Sequence, residues 1–201
     1  MIIDNQILAI KQKLDHLVET DFPMTELGKL LPSATVVIYE TDEYFVRAGE
    51  ETRKVGFVIS GLFRLFYTDY DGKDFTKNFR ASGHFIGAQA SLLLKVPSRL
   101  NIQALEPSTA LCLDYDEILR IAENNLHWQR LLRRITELDY LEKEQRESDL
   151  LFYDATERYL NFKKDHPDWD AKLQLRHIAS YLGMSPETLS RIRKNLIPEV
   201  N

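Results

Sequence analysis

At 201 residues, 44% of them hydrophobic, the chain is long enough for one large core or two modest ones. It has neither a charged leader before an apolar run at Met1-Ile2-Ile3-Asp4 nor the ~20 consecutive apolar residues of a membrane span, so a soluble, cytoplasmic protein with no membrane partner is expected. Its net charge of −5 argues against a polyanionic partner for the chain as a whole, yet residues 171–201 carry five basic side chains (Lys172, Arg176, Arg191, Arg193, Lys194) against Glu187 and Glu199, a local excess of +3 on a body of −8.

In chain order, Ile7, Ile10, Leu14, Leu17 and Val18 take the 3–4 spacing of one helical face, and Pro23 and Pro32 punctuate the stretch after it. From Ala34 to Tyr115 the character is β: runs at Ala34–Tyr39, Val55–Ile59, Leu62–Tyr67, Asn101–Leu105 and Ala110–Leu113 are separated by turn signals such as Asp71-Gly72. Many short strands at that spacing predict an antiparallel roll, barrel or sandwich. The lone Cys112, set in Ala110-Leu111-Cys112-Leu113, can form no internal disulfide and reads as a small buried hydrophobe. From Asp116 onward helical periodicity takes over. The longest helix is predicted over Leu126–Ser148, with Trp128, Leu131, Ile135 and Leu138 stepping by 3, 4 and 3. That stripe is either a dimer seam or a face packed on the chain's own β-domain. A helix over Ala155–Lys164 stops before His166-Pro167, and two short helices complete the chain.

Those last two carry the strongest motif, Leu175-Arg176-His177-Ile178-Ala179-Ser180-Tyr181-Leu182-Gly183-Met184-Ser185-Pro186-Glu187-Thr188-Leu189-Ser190-Arg191-Ile192-Arg193-Lys194. Ile178 and Leu182 share a face, Ala179 is small where a second helix must cross, and Gly183 supplies the positive φ of a turn. Ser185 as N-cap and Pro186 as first helical residue start the second helix sharply. Leu189 and Ile192 would face the first helix, leaving Glu187, Thr188, Ser190, Arg191 and Lys194 outward.

This series resembles the helix-turn-helix of the Crp–Fnr family, whose recognition helix carries Glu, two intervening residues, then Ser or Gly followed by Arg; here those are Glu187, Ser190 and Arg191. Arg is suited to guanine O6 and N7, and Glu to the cytosine amino group. The resemblance extends to Arg47-Ala48-Gly49-Glu50, Ile59-Ser60-Gly61 and Ser82-Gly83-His84-Phe85-Ile86-Gly87, similar to the glycine turns of a cyclic-nucleotide-binding roll, and to Leu151–Arg158, which looks like the family's hinge. It implies an α+β protein: a sensor over 1–115 built as a double-stranded β-helix (jelly-roll-like β-roll) with flanking helices, a linking and dimerisation helix over 116–150, and a helix-turn-helix domain over 151–201. It also implies a homodimer that binds double-stranded DNA through Glu187, Thr188, Ser190, Arg191, Arg193 and Lys194 and contacts RNA polymerase.

The effector is where the pattern breaks. Family members that bind cyclic AMP use a Gly-Glu pair and an Arg on its phosphate and ribose; here Gly87 is followed by Ala88 and Gln89, and Ser98 stands at the arginine's place unless a longer loop brings Arg99 there. Alignment back from the hinge puts Lys143 and Glu144 where hydroxyl residues would meet adenine. Without charge pairing to the phosphate, an effector other than cyclic AMP is implied, its identity unknown. One cysteine is too few for an iron–sulfur sensor, and His84 reads as a turn residue. A different class of reading keeps a small-molecule module whose helical tail contacts something other than DNA. No Walker loop, metal-ligand spacing or nucleophile elbow points to an enzyme.

Overall fold

A computed structural model describes residues 4–196. The element order is α1 (Asp4–Val18), α2 (Met24–Leu30), a single 3-10 turn (Leu31–Ser33), β1 (Thr35–Tyr39), β2 (Tyr44–Val46), β3 (Lys54–Ser60), β4 (Leu62–Thr68), β5 (Asp74–Ala81), β6 (Phe85–Ile86), α3 (Gln89–Leu94), β7 (Asn101–Ala104), β8 (Ser108–Asp114), α4 (Tyr115–Ala122), α5 (Leu126–Phe152), α6 (Ala155–Asp165), α7 (Trp169–Lys172), α8 (Leu175–Tyr181) and α9 (Pro186–Leu196). The five expected strands lie within two residues of their predicted bounds, and the long helix runs four residues further than expected. Strands β2, β5 and β6 and helices α2, α3, α4 and α7 are not among the elements predicted from the sequence.

The strands form two antiparallel sheets in the orders β1-β8-β3-β6 and β2-β7-β4-β5. That interleaving is the jelly-roll arrangement, so the α+β class and the β-roll are as expected. Between the sheets lies an almost wholly apolar core that includes Phe45, Val58, Phe63, Leu65 and Ile102. Gly61, at φ +90°, makes the corner between β3 and β4. A Cβ there would stand 2.1 Å from Ser108 Oγ, so only glycine lets these chains cross. Cys112 is buried in this core with its Sγ 3.6 Å from Tyr39 Oη, and burial raises its thiol pKa.

A second core lies outside the first sheet, where Phe57 and Leu111 meet Ile10, Leu14, Leu27 and Leu30 of α1 and α2, Ile118 of α4, and Trp128 and Leu131 of α5. Of the two readings of the stripe, packing on the chain's own β-domain accounts for its first half. Trp128 (4% exposed) and Leu131 (2% exposed) pack on the chain's own β-domain, while Ile135 and Leu138 are half-buried. The start of α5 is fixed by Asn125, whose side-chain oxygen accepts the backbone N–H of His127 (3.1 Å) and Trp128 (3.4 Å). Among the described residues no helix is long and apolar enough to cross a membrane.

The third core joins roll and helices: Leu62 and Phe79 pack with Tyr159, Phe162, Ile178, Ala179, Leu182, Leu189 and Ile192. It therefore crosses the boundary expected near residue 150. Helix α6, which frames it, is closed at its start by a reciprocal capping box between Asp154 and Glu157.

Candidate DNA-reading helix and effector cleft

Helices α8 and α9 are joined by the turn Leu182–Ser185. Gly183 adopts φ +66°, and a Cβ there would meet Leu150 Cδ2 at 2.9 Å, so the turn nests against the end of α5. Met184 N–H returns to the carbonyl of Ala179 (3.0 Å). Ser185 Oγ accepts the N–H of Thr188 (3.2 Å) at the start of α9. Ala179 and Leu189 are fully buried where the two helices cross, with Ile192 beside them. Opposite that face, Glu187, Ser190, Arg191 and Lys194 are all exposed. Their spacing of 3, 1 and 3 places them on one stripe of the helix.

Two members of the expected reading set stand apart. Thr188 is half-buried, and its hydroxyl accepts from Ser185 Oγ (3.2 Å). Arg193 is tied inward: its guanidinium pairs with Asp170 (2.6 Å) and donates to Tyr159 Oη (3.2 Å), fastening α9 to α6 and α7. Glu187 and Arg191 form no ion pair with each other, so both side chains stay available outward; the Glu187 carboxyl is held below its ordinary pKa by its own backbone N–H and by Ser185.

Helix α8 is also docked on the roll. Ser180 Oγ accepts the N–H of Thr76 (2.8 Å) and donates to the carbonyl of Asp74 (3.1 Å). Arg146 of α5 donates to both Thr76 O and Tyr181 O. Beside them the buried Arg64 reaches Thr76 and Asp74. His177, 6% exposed, has an Nδ1 without a partner among the described residues, and its pKa is lowered to about 4 by burial and then by Arg64 and Arg176. Further along β5, Arg80 forms a bidentate pair with Glu142 (2.8 and 3.0 Å) and reaches Asp139 (3.0 Å). Burial penalises the Arg80 charge, but Glu142 outweighs that and keeps it firmly protonated. The sequence carries no sign of this docking, because β5 presents no apolar alternation.

The expected effector residues divide between two hollows. Ala88, Gln89, Ser98 and Arg99 line a cleft of about 400 Å³ with Tyr67, Lys77 and Leu94. Gly87 and Gln89 line a separate apolar chamber of about 150 Å³ beneath α5. Ser98 is buried and closes on its own loop, donating to Leu100 O (2.8 Å) and accepting Leu100 N–H (3.0 Å). Arg99, unlike Ser98, is exposed, and with the exposed Lys77 it puts two cations on the cleft. Ala88 leaves no carboxylate at the mouth of α3. The donor set therefore does not fit a ribose-phosphate held in the usual way. Lys143 and Glu144 are exposed and line neither hollow. His84 is bonded through Nδ1 to Ala81 O (3.1 Å) in the turn before β6.

Residues 36–125 match the family of cyclic nucleotide-binding domains. No curated protein is significantly similar to the chain in sequence. Among solved structures, FixK2 from Bradyrhizobium japonicum superposes with a TM-score of 0.71 at 23% identity, covering 81% of this chain and 84% of that one. The c-di-GMP-responsive global regulator CLP from Xanthomonas campestris gives 0.71 at 18% identity, over 87% and 91%. A protein assigned to the Crp/Fnr family from Eubacterium rectale gives 0.71 at 12% identity, over 87% and 83%. Residues 36–125 are thus similar to cyclic nucleotide-binding domains, and over most of its length the chain has the fold of the solved Crp/Fnr-type structures.

Proposed function

We propose that the protein is a sequence-specific, DNA-binding transcriptional regulator of the Crp–Fnr type, cytoplasmic, acting as a homodimer on double-stranded DNA, contacting RNA polymerase and answering to an effector other than cyclic AMP. In this reading residues 1–115 sense, 116–150 link and pair, and 151–201 read DNA; residues 1–3 and 197–201 of that division lie outside the described residues. The observation that carries it is the stripe Glu187, Ser190, Arg191 and Lys194, exposed together on a helix whose other face is locked into a helix-turn-helix core. Arg193 is assigned to holding that helix rather than to phosphate.

The pairing surface is reassigned as well. With Trp128 and Leu131 committed inward, the apolar residues α5 leaves in solvent include Tyr140, Leu141, Leu151 and Phe152. Tyr140 and Leu151, like Leu141 and Phe152, are eleven residues apart, close to three turns, and so share a face. A second copy is the partner this face is proposed to take.

Binding-site selection on random duplex DNA tests the reading. Arg191→Ala is expected to weaken the selected site by about 1–3 kcal/mol and to relax preference at one base pair, with non-specific affinity little changed. An unchanged preference would remove α9 as the reader.

A further inference from the structure

We propose that Arg193 is a positioning residue for base readout: held from behind by Asp170 and Tyr159, it fixes the roll of α9 about its own axis, so that two residues on other helices help determine which base pairs Glu187 and Arg191 prefer. This rests on the regulator reading above and names what sets its specificity. At ~100° per residue, Arg193 lies about 200° around the helix from Arg191, on the face turned away from the reading stripe. Three groups close a ring there. The Arg193 guanidinium donates from Nη2 to Asp170 Oδ1 (2.6 Å) and to the Asp170 carbonyl (3.2 Å), and from Nε to Tyr159 Oη (3.2 Å). The Tyr159 hydroxyl in turn donates to the Asp170 carboxylate (2.9 and 3.0 Å). Burial, and then the bond to Asp170, raise the Tyr159 pKa, which keeps the phenol a donor.

Both partners of Arg193 are themselves anchored. Tyr159 is 2% exposed in the core that α6 shares with α8 and α9. Asp170 belongs to α7, whose Trp169 stacks on His166 at 4.0 Å and meets Phe79 of β5 edge-on at 5.7 Å. The rest of the inner face of α9 is apolar, with Leu189 and Ile192 in the core of Ile178, Ala179 and Leu182. Such contacts are non-directional, whereas a planar fork bonded through two of its nitrogens is directional. Among the described residues, the side-chain hydrogen bonds that tie α9 to other elements all run through Arg193. A roll of ~10° carries a side-chain tip ~6 Å from the helix axis through ~1 Å, more than the ~0.5 Å within which a binding constellation must be held. Arg193 and Asp170 are both half-buried, so their pairing adds modestly to stability. What it supplies is orientation.

The test uses the full chain and a duplex obtained by binding-site selection, with affinity measured for that site and for single-base changes within it, each across a salt series. Arg193→Ala and Asp170→Ala are each expected to lower discrimination against the changed sites about ten-fold, with their combination adding nothing further and the salt dependence keeping the wild-type slope. Tyr159→Phe removes one hydroxyl and leaves the ring in the core, which keeps the test open if an alanine variant fails to fold; it should lower discrimination about three-fold. Arg193→Lys should recover part of what Arg193→Ala loses. Lys194→Ala is the contrast: it should weaken every site alike, with a slope shallower by about one phosphate contact. Melting curves establish that each variant is folded at the assay temperature. A shallower slope for Arg193→Ala would make Arg193 a phosphate contact, and a uniform loss over all sites would make its role purely structural. Either result, or full discrimination by Asp170→Ala, overturns this inference alone. Wild-type protein that selects no site overturns the regulator reading, and this inference with it.

Discussion

The inside of the β-roll and the seam where the roll meets the helix-turn-helix are both sealed from water, but by different means. Between the sheets the seal is hydrocarbon, with Phe63, Val58, Ile102 and Ala110 fully buried. At the seam, hydrocarbon from Leu62, Phe79, Ile178 and Leu189 is interleaved with buried polar residues: Arg64, Thr76, Asn78, Arg80 and His177. A close-packed hydrocarbon core resists local rearrangement, because any opening leaves a void. Polar contacts are either made or unmade, and each has water as an alternative partner once exposed. The seam is therefore expected to open ahead of the roll interior.

The contrast can be broken most severely from inside. Phe63→Ala is expected to destabilise the protein by about 3–5 kcal/mol, with every spectroscopic probe shifting together in urea. Next in size is Ser180→Ala, which orphans the buried N–H of Thr76 and the carbonyl of Asp74 and should lower the stability of the seam by about 1–3 kcal/mol. Its signature is a split. Trp169, edge-on to Phe79 at 5.7 Å, should report an earlier transition than Trp128 in the second core. Coincident curves would mean that seam and roll are one cooperative unit.

A third test sharpens the comparison through pH. His177 sits among Arg64, Arg176 and Asp74 with its pKa near 4 in the folded state against an ordinary 6.5. Below pH 6.5 the unfolded chain takes up a proton that the folded chain refuses. The contribution of neutral His177 is therefore complete above that pH and is lost as pH falls toward 4, with a slope of up to about 1.4 kcal/mol per pH unit. His177→Leu should flatten the urea midpoint against pH over that window. His84 and His166, whose pKa values burial also lowers, contribute to the same slope, so the difference between variant and parent isolates His177.

Legibility in the sequence divides along the same line. The α8–α9 corner is legible because its turn is made of residues with local conformational demands: Gly183 at positive φ, Ser185 as cap and Pro186 at the first helical position. The five expected strands are legible because their buried positions are apolar. Strand β5 is not. Of its buried positions, Thr76, Asn78, Phe79 and Arg80, only Phe79 is apolar, the polar three have partners on α5, α8 and β4, and its Phe75 is 45% exposed, so apolar residues do not mark its buried side. The stripe on α5 is identifiable as a face, but periodicity shows that a face is covered and not by what. Its upper half is covered by the chain's own sheet. In the cleft, counting along the chain leaves Ser98 and Arg99 open. The loop geometry separates them, because Ser98 is bonded back to Leu100 and Arg99 is turned out.

Within five residues of β5, Thr76 holds α8, Lys77 stands over the chamber, and Asn78 and Arg80 hold α5 through Glu142. This limits how the protein can be taken apart or recombined. A helix-turn-helix cut at the hinge and grafted onto another roll would keep its own core residues Ile178, Leu182, Leu189 and Ile192, but it would lose the Leu62 and Phe79 side chains that close that core from below. It would also lose the amide that Ser180 receives. The smallest transplantable unit that keeps this core is therefore discontinuous: residues 150–196 together with the β4–β5 hairpin, whose strand pairing from Leu62–Ala81 to Thr68–Asp74 carries both of the missing apolar side chains.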